Sequence, residues 1–316
     1  MANTLSSFFQ TLVASATEAS QLLAPTWNAS GSVYLDYQPV AATIGQTLNI
    51  AIPQDPTNSV NDQGTGDLVL SDIGFTTTPI VFNKHPSFGF VVRDFEQFNS
   101  PTDIRNVFMD AALKGVKNNI NQAVCNLFVT GNFTTNAAIS DTASTITVTH
   151  FMNAMARLAD QNVPVANDPT NMSLLLPSTP YTALMDPSST PGAFWTQAQI
   201  AAIKTPEYVR QYGEMPTSFG CTIKLDQQMP TTGTAGSRTF TGSYFHRWAI
   251  ALASRPLATP DSNIVKTAFI EFGGISVRVS VGYNQYPKQG WIVSVDAGYG
   301  LKVVRENLGQ LFTIAE

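Results

Sequence analysis

The segment 100–128, SPTDIRNVFMDAALKGVKNNINQAVCNLF, restricts the fold more than any other stretch of the chain. Ser100 suits an N-cap, Pro101 the first helical position, and Asp103 the positive end of a helix. Ile104, Val107, Phe108, Ala111, Ala112, Val116, Ile120, Val124, Leu127 and Phe128 recur at helical steps, which predicts one continuous apolar face. Gly131 stands where a C-terminal stop belongs. At ~1.5 Å per residue, about 28 residues make a rod of roughly 42 Å. Its opposite face carries Arg105, Lys114, Lys117 and Asn118.

Upstream the texture differs. Residues 4–24 space Leu5, Phe8, Phe9, Leu12, Val13, Ala16 and Ala19 as an amphipathic helix that Pro25 stops. Its polar face is Ser, Thr and Gln with one acid, which favours docking on protein over lying on a membrane. From residue 32 to about 95 the chain reads as strand, in VYLDY, TLNIAI, DLVL, PIVF and FGFVVRDF. Between Pro53 and Asp67 lies PQDPTNSVNDQGTGD, polar and without a packing face. Together these segments predict a long two-stranded arm with a polar tip, which cannot bury itself on its own chain.

Beyond Gly131 strands and helices mix. A strand region STITVT leads into a helix HFMNAMARLADQN, then a buried strand MSLLLP. Helical pieces PYTALM and FWTQAQIAAIKTPEYVRQYG come next, followed by strands TSFGCTIKLD and TFTGSYFHRWAIALAS. The chain closes with AFIEFGGISVRVSVGYN, a turn at YPKQG, and WIVSVDAGYGLKVVREN, the last two reading as paired antiparallel strands.

Charge narrows the function classes. Only 12% of the 316 residues are charged, against roughly a quarter in an average soluble domain. Such a chain dresses its surface in Ser, Thr, Asn and Gln, and covers much of it with partner subunits. Residues 1–83 hold six acids, at Glu18, Asp36, Asp55, Asp62, Asp67 and Asp72, and no Lys or Arg. That asymmetry predicts contact with basic surface on a neighbouring subunit. No basic stripe marks a sequence-specific nucleic-acid reader. The first basic residue is Lys84, so a secretory start is not expected, and no run approaches the ~18 apolar residues of a membrane helix. Cys125 and Cys221 fit no metal or redox spacing and are expected to be reduced core residues.

No catalytic, cofactor or metal motif emerges. His85, His150 and His246 lie far apart in unlike contexts, and neither HExxH nor GxSxG occurs. No phosphate-binding GKS or GKT follows the GTG at Gly64–Gly66. The expectation is a protein that is not an enzyme and needs no cofactor.

The order of elements resembles the major capsid proteins of tailed bacteriophages, whose fold is shared with herpesvirus shells and encapsulins. VRDFEQF leading into SPTDIRNVFMDAALKGVKNNINQAVCNLF is similar to the family's entry into its spine helix. GGISVRVSVGYN and WIVSVDAGYGLKVVREN are similar to its closing strands. The resemblance implies an α+β fold with residues 1–40 as N-terminal arm and 41–95 as extended loop and start of the peripheral domain. Residues 96–130 would hold the spine helix, 131–265 the axial domain, and 266–316 closing strands shared by the two domains. It further implies hexamers and pentamers closing into an icosahedral shell around double-stranded DNA, contacted without sequence specificity. A portal would occupy one vertex, with a decoration protein as an optional partner.

Candidate contacts between subunits are Phe8, Phe9 and Leu12 on the arm, Asp55, Asp62 and Asp67 on the loop, and Lys114 and Lys117 on the helix. Residues 41–83 contain no lysine, so the Lys–Asn cross-link formed by some family members is not expected. No charged helical segment precedes the arm, which implies a separate scaffolding protein or none, and numbering from Met1 gives the expectation of an untrimmed arm. Assembly is expected in the bacterial cytoplasm and residence in the virion capsid. Rival readings are an encapsulin compartment and, in another class, a β-rich hydrolase or adhesin. The hydrolase lacks a nucleophile in context, and the adhesin lacks repeats.

Overall fold

The computed structural model describes residues 9–10, 12–14, 16–17, 33–35, 47–53, 74–93, 104–141, 146–165, 168–185, 221–259, 265–285 and 289–316. The helix expected across 194–213, the strand expected at 67–70 and the acidic tip of the arm lie outside these residues.

Helix α1 (Ile104–Cys125) is the predicted rod, shorter at its C-terminal end. Met109, Ala112, Leu113, Val116, Ile120 and Val124 are buried at three- and four-residue steps, whereas Ala111 and Phe108 are exposed. Gly131 does not stop the helix. Leu127 N donates to Val124 O and Phe128 N to Cys125 O, each at 3.0 Å, so the last turn tightens to three-residue bonds. Asn132 Nδ2 then caps Leu127 O at 2.9 Å. The tightening swings Phe128 into the core, with its ring centroid 5.9 Å from that of Phe133 and 4.8 Å from that of Phe245.

The sheet that α1 covers has the order β10–β11–β12–β3, with β9 beside the far half of β12. Its strands are β3 (Ser87–Arg93), β9 (Ile250–Arg255), β10 (Val265–Phe272), β11 (Ile275–Asn284) and β12 (Gly290–Val303). Alternation sets the two faces. Val277, Val279, Val281, Val293 and Val295 are all buried, and Val279 faces Val295 while Val281 faces Val293. The intervening Arg278, Ser280, Ser294 and Asp296 point the other way, as their half-step positions require. AFIEFGGISVRVSVGYN is therefore two strands, because Gly273 and Gly274 adopt φ of 59° and 79° and close a tight hairpin. The predicted pairing of the last two strands is present from Val277–Ala297 to Asn284–Gly290.

The second sheet has the order β4–β13–β8–β5–β6, with β7 beside β8. It comprises β4 (Ile139–Asp141), β5 (Met172–Leu176), β6 (Thr222–Leu225), β7 (Thr231–Thr232), β8 (Thr239–His246) and β13 (Gly309–Ala315). β5 is buried at every residue, matching its continuous apolar sequence. Helix α2 (Val148–Asp160) buries Phe151, Ala154 and Leu158. It starts inside the predicted strand STITVT, because Thr147 caps it in a capping box with His150. Helix α3 (Ser178–Met185) follows β5 as expected.

TFTGSYFHRWAIALAS is not one strand either. A 3-10 turn at Arg247–Ala249 divides it into β8 and β9, which belong to different sheets.

The hairpin of β1 (Thr47–Pro53) and β2 (Phe75–Val81) pairs from Thr47–Val81 to Pro53–Phe75. It is rooted on the body rather than detached. Leu48, Ile50 and Ile80 form a small cluster with Ala251 and Ala253 of β9. Gly300 permits the crossing, since a Cβ there would lie 2.5 Å from Val81 O. The described arm residues are likewise held by their own chain. Leu12 and Ala16 are fully buried in the main core. Tyr34 N donates to Ile250 O at 3.0 Å, and Leu252 N donates to Tyr34 O at 3.1 Å.

Candidate assembly surface

Three features of the described surface could meet a neighbour: the hairpin, the outward face of the α1-backed sheet, and the solvent side of α1. Seven paired positions at ~3.4 Å each carry the hairpin roughly 24 Å. Phe75, at the end remote from its root, is 67% exposed. The neighbouring Thr76 and Thr77 are also exposed and Thr78 is half-buried, so the far half of this ribbon presents β-forming side chains to its surroundings.

On the sheet's outward face Val91 and Ile292 sit directly opposite each other, both exposed, and Phe269 is exposed on β10. Alternation carried this signal along β12: in WIVSVD, Ile292 occupies an outward step whose next two positions are the polar Ser294 and Asp296. Beside them lies a charged cluster. Arg278 Nε donates to Asp296 Oδ1 at 3.0 Å and Arg278 Nη2 to Asp296 Oδ2 at 2.5 Å. His85 Nε2 lies 3.0 Å from Asp296 Oδ2, and Arg278 Nη1 donates to Ala258 O. A two-bond guanidinium–carboxylate fork of this kind fixes geometry as well as charge. It ties the segment 256–258 down on the sheet.

Lys114 is exposed and Lys117 half-buried on α1. From Ala111 to Phe128 the chain has no acid. Lys84 approaches the same side: its N and O bond reciprocally with Tyr299, whose hydroxyl lies 3.5 Å from Asn119 Oδ1 on α1. Directly opposed residues share a sheet face, so Lys84 belongs to the face that α1 covers.

Inside, α1 is pinned to the second sheet by a polar contact. Asn121 Nδ2 donates to both oxygens of Asp226, at 3.0 and 2.8 Å, and Gln228 N donates to Asp226 Oδ1 at 2.9 Å. Burial raises the Cys125 thiol far above its ordinary range, with Asp226 adding to the effect, and pushes Cys221 up to about 12. Both are free and buried, as the sequence implied. Such thiols stay protonated and unreactive.

The sequence-derived contact residues fall into three groups. Phe8, Asp55, Asp62 and Asp67 lie outside the described residues. Leu12 is buried by its own chain, and the half-buried Phe9 packs against the same core. Lys114 and Lys117 lie on one helix, at an i, i+3 step. Phe75, Val91, Phe269 and Ile292 were not anticipated. Among the described residues no group of His, Cys, Asp or Glu could hold a metal, and no helix is long and apolar enough to cross a membrane.

No protein-family model matches the chain, and no curated protein matches it in sequence. Solved structures do match over nearly its whole length. A chain from Mycobacterium phage Che8 superposes with a TM-score of 0.60 at 15% identity, covering 91% of this chain and 90% of that one. The capsid structure of cyanophage P-SCSP1u gives 0.59 at 12% identity over 92% and 88%, and the capsid asymmetric unit of cyanophage Pam1 gives 0.56 at 10% over 91% and 90%. The chain therefore has the tailed-phage major capsid fold.

Proposed function

We propose that this chain is the structural subunit of a tailed phage's icosahedral shell, assembling as hexamers and pentamers around double-stranded DNA. The observation that carries this reading is the likeness to phage capsid chains across about nine-tenths of both partners. A low charge content and a hairpin exposing Phe75 support it, since both suit a surface completed by copies of itself. Residues 1–40 and 41–95 are assigned as arm and extended loop, 96–130 as the spine-helix region, 131–265 as axial domain, and 266–316 as shared closing strands. Asp55, Asp62 and Asp67 face a basic surface on the neighbour, for which Lys114 and Lys117 are the candidates. Its partners are a portal at one vertex, a separate scaffolding protein or none during assembly, and an optional decoration protein, with assembly in the host cytoplasm. The protein works by packing rather than by catalysis.

Sizing and unstained cryo-imaging of the purified protein test this. Closed shells of megadalton mass support it, and a stable particle of 34.1 kDa contradicts it. Replacing Asp55, Asp62 and Asp67 together by Lys should impair assembly while leaving the far-UV spectrum and unfolding midpoint unchanged. Normal shell yield from that variant removes the electrostatic component.

A further inference from the structure

The corner between the two sheets carries a histidine whose protonation state is written into the backbone. His246 ends β8 and caps the 3-10 turn Arg247–Ala249, its Nδ1 accepting from Trp248 N at 3.3 Å. An acceptor at Nδ1 leaves the ring proton on Nε2, which faces Asp168 Oδ2 at 3.4 Å. The ring is 1% exposed. Asp168 also accepts from Asn171 Nδ2 on the same oxygen at 2.6 Å and from Thr170 Oγ1 on Oδ1 at 3.2 Å. The charged groups facing the imidazole are thus Asp168, which favours the cation, and Arg247 and Arg305, which oppose it.

What the turn supports makes this consequential. Trp248 lies 5.1 Å from the His246 ring and 6.4 Å from Tyr34, edge to face in both cases. The Arg247 guanidinium sits 5.6 Å over the Tyr34 ring. Tyr34 is the arm residue bonded to β9, and with Trp248 it lines a groove of about 200 Å³ shared with Ala51, Ile52, Val304 and Arg305. One turn therefore adjoins both the arm at residues 33–35 and strand β1 of the hairpin at Ala51 and Ile52.

We propose that His246 is a proton-operated latch: its neutral form holds the 247–249 turn closed beneath the arm and hairpin, and its cation opens that turn. The cation carries a proton on Nδ1, directed at the N–H of Trp248. Two donors then face each other without an acceptor, and the cap is lost. Burial lowers the pKa of His246 from its ordinary 6.5, with Arg247 and Arg305 acting in the same direction against Asp168. In the window below 6.5 the open chain binds more protons than the closed one, so the closed form loses stability as pH falls. The latch is a property of the single chain and does not depend on the shell reading.

The test is a titration of the full chain from about pH 7.5 to about 4.5, following Trp248 emission, with Trp248→Phe identifying its share, and hydrogen exchange at 33–35 and 250–252. Wild type should quench at Trp248 and lose protection there with one midpoint below 6.5. His246→Asn keeps a cap acceptor that does not titrate, so it should remain closed throughout. Asp168→Asn should move the midpoint to lower pH. The proposal is overturned if His246→Asn opens at the wild-type midpoint, if wild type shows no such transition, or if Asp168→Asn raises the midpoint. Titration of His85→Gln and His150→Gln should reproduce wild type, and loss of the transition in either places the switch elsewhere.

Discussion

The valine-layered body around β12 and the β1–β2 hairpin are both antiparallel, yet they treat their side chains in opposite ways. In the body β11 and β12 have partners on both flanks and α1 lies over one face, so the inner valines lie completely away from solvent. Each contributes ~1.5–3 kcal/mol of burial. The hairpin stands as a two-stranded sheet over a cluster of five buried residues. It keeps a foothold at Leu48, Ile50 and Ile80 and leaves Phe75 uncovered. The inner face of the body is complete on its own chain, whereas the hairpin is covered only at its root.

The largest expected effect tests the body. Phe128→Ala empties the junction among Phe133, Phe245 and the end of α1, and should cost about 3–5 kcal/mol in denaturant unfolding. A loss below about 1 kcal/mol would mean that the aromatic junction is not part of the stabilising core. Next, Gly300→Val drives side-chain atoms into Val81 O and should lift the hairpin root at a cost of about 1–3 kcal/mol. Hydrogen exchange should then quicken across 75–81 and stay unchanged across 275–284. Equal acceleration in both segments would erase the distinction between the regions.

A pH measurement carries the comparison to the second sheet. Lys224 lies on edge strand β6, and burial lowers its pKa to about 8, with Asp226 acting weakly against the shift. Between about 8 and 10.5 the unfolded chain therefore holds more protons, and stability from this residue rises with pH. The unfolding midpoint of wild type should gain on that of Lys224→Met across this window, and parallel curves would contradict the assignment. The smallest effect on the single chain belongs to Phe75→Ser, expected within about 0.5 kcal/mol of wild type in unfolding. Its effect should be seen in shell yield, and an unchanged yield would take Phe75 out of the assembly surface.

Strong periodicity was legible, and corners were not. The apolar steps of α1, the unbroken burial of β5 and the β11–β12 pairing could be read directly, because each follows from a single repeat length. The end of α1 was misplaced, since Phe128's gain from reaching Phe245 depends on residues more than a hundred positions away. The division at Arg247–Ala249 was missed for a related reason: WAIAL has strand propensity on both sides, and only pairing with two different sheets shows the break. The charge asymmetry of the first 83 residues was plain, but not that Leu12 would find its cover on its own core. Outward-facing Val91 and Ile292 needed the register before they could be recognised as neighbours.

β12 has mechanical consequences beyond its place in the core. Along its 14 residues it is bonded to β3 and β11 in the first half and to β9 in the second, while Tyr299 grips Lys84. A pull along its axis loads these cross-strand bonds together in shear instead of peeling them singly. Tension entering at the hairpin root is thereby spread across the sheet, and the chain yields last along the line where its two halves are stitched.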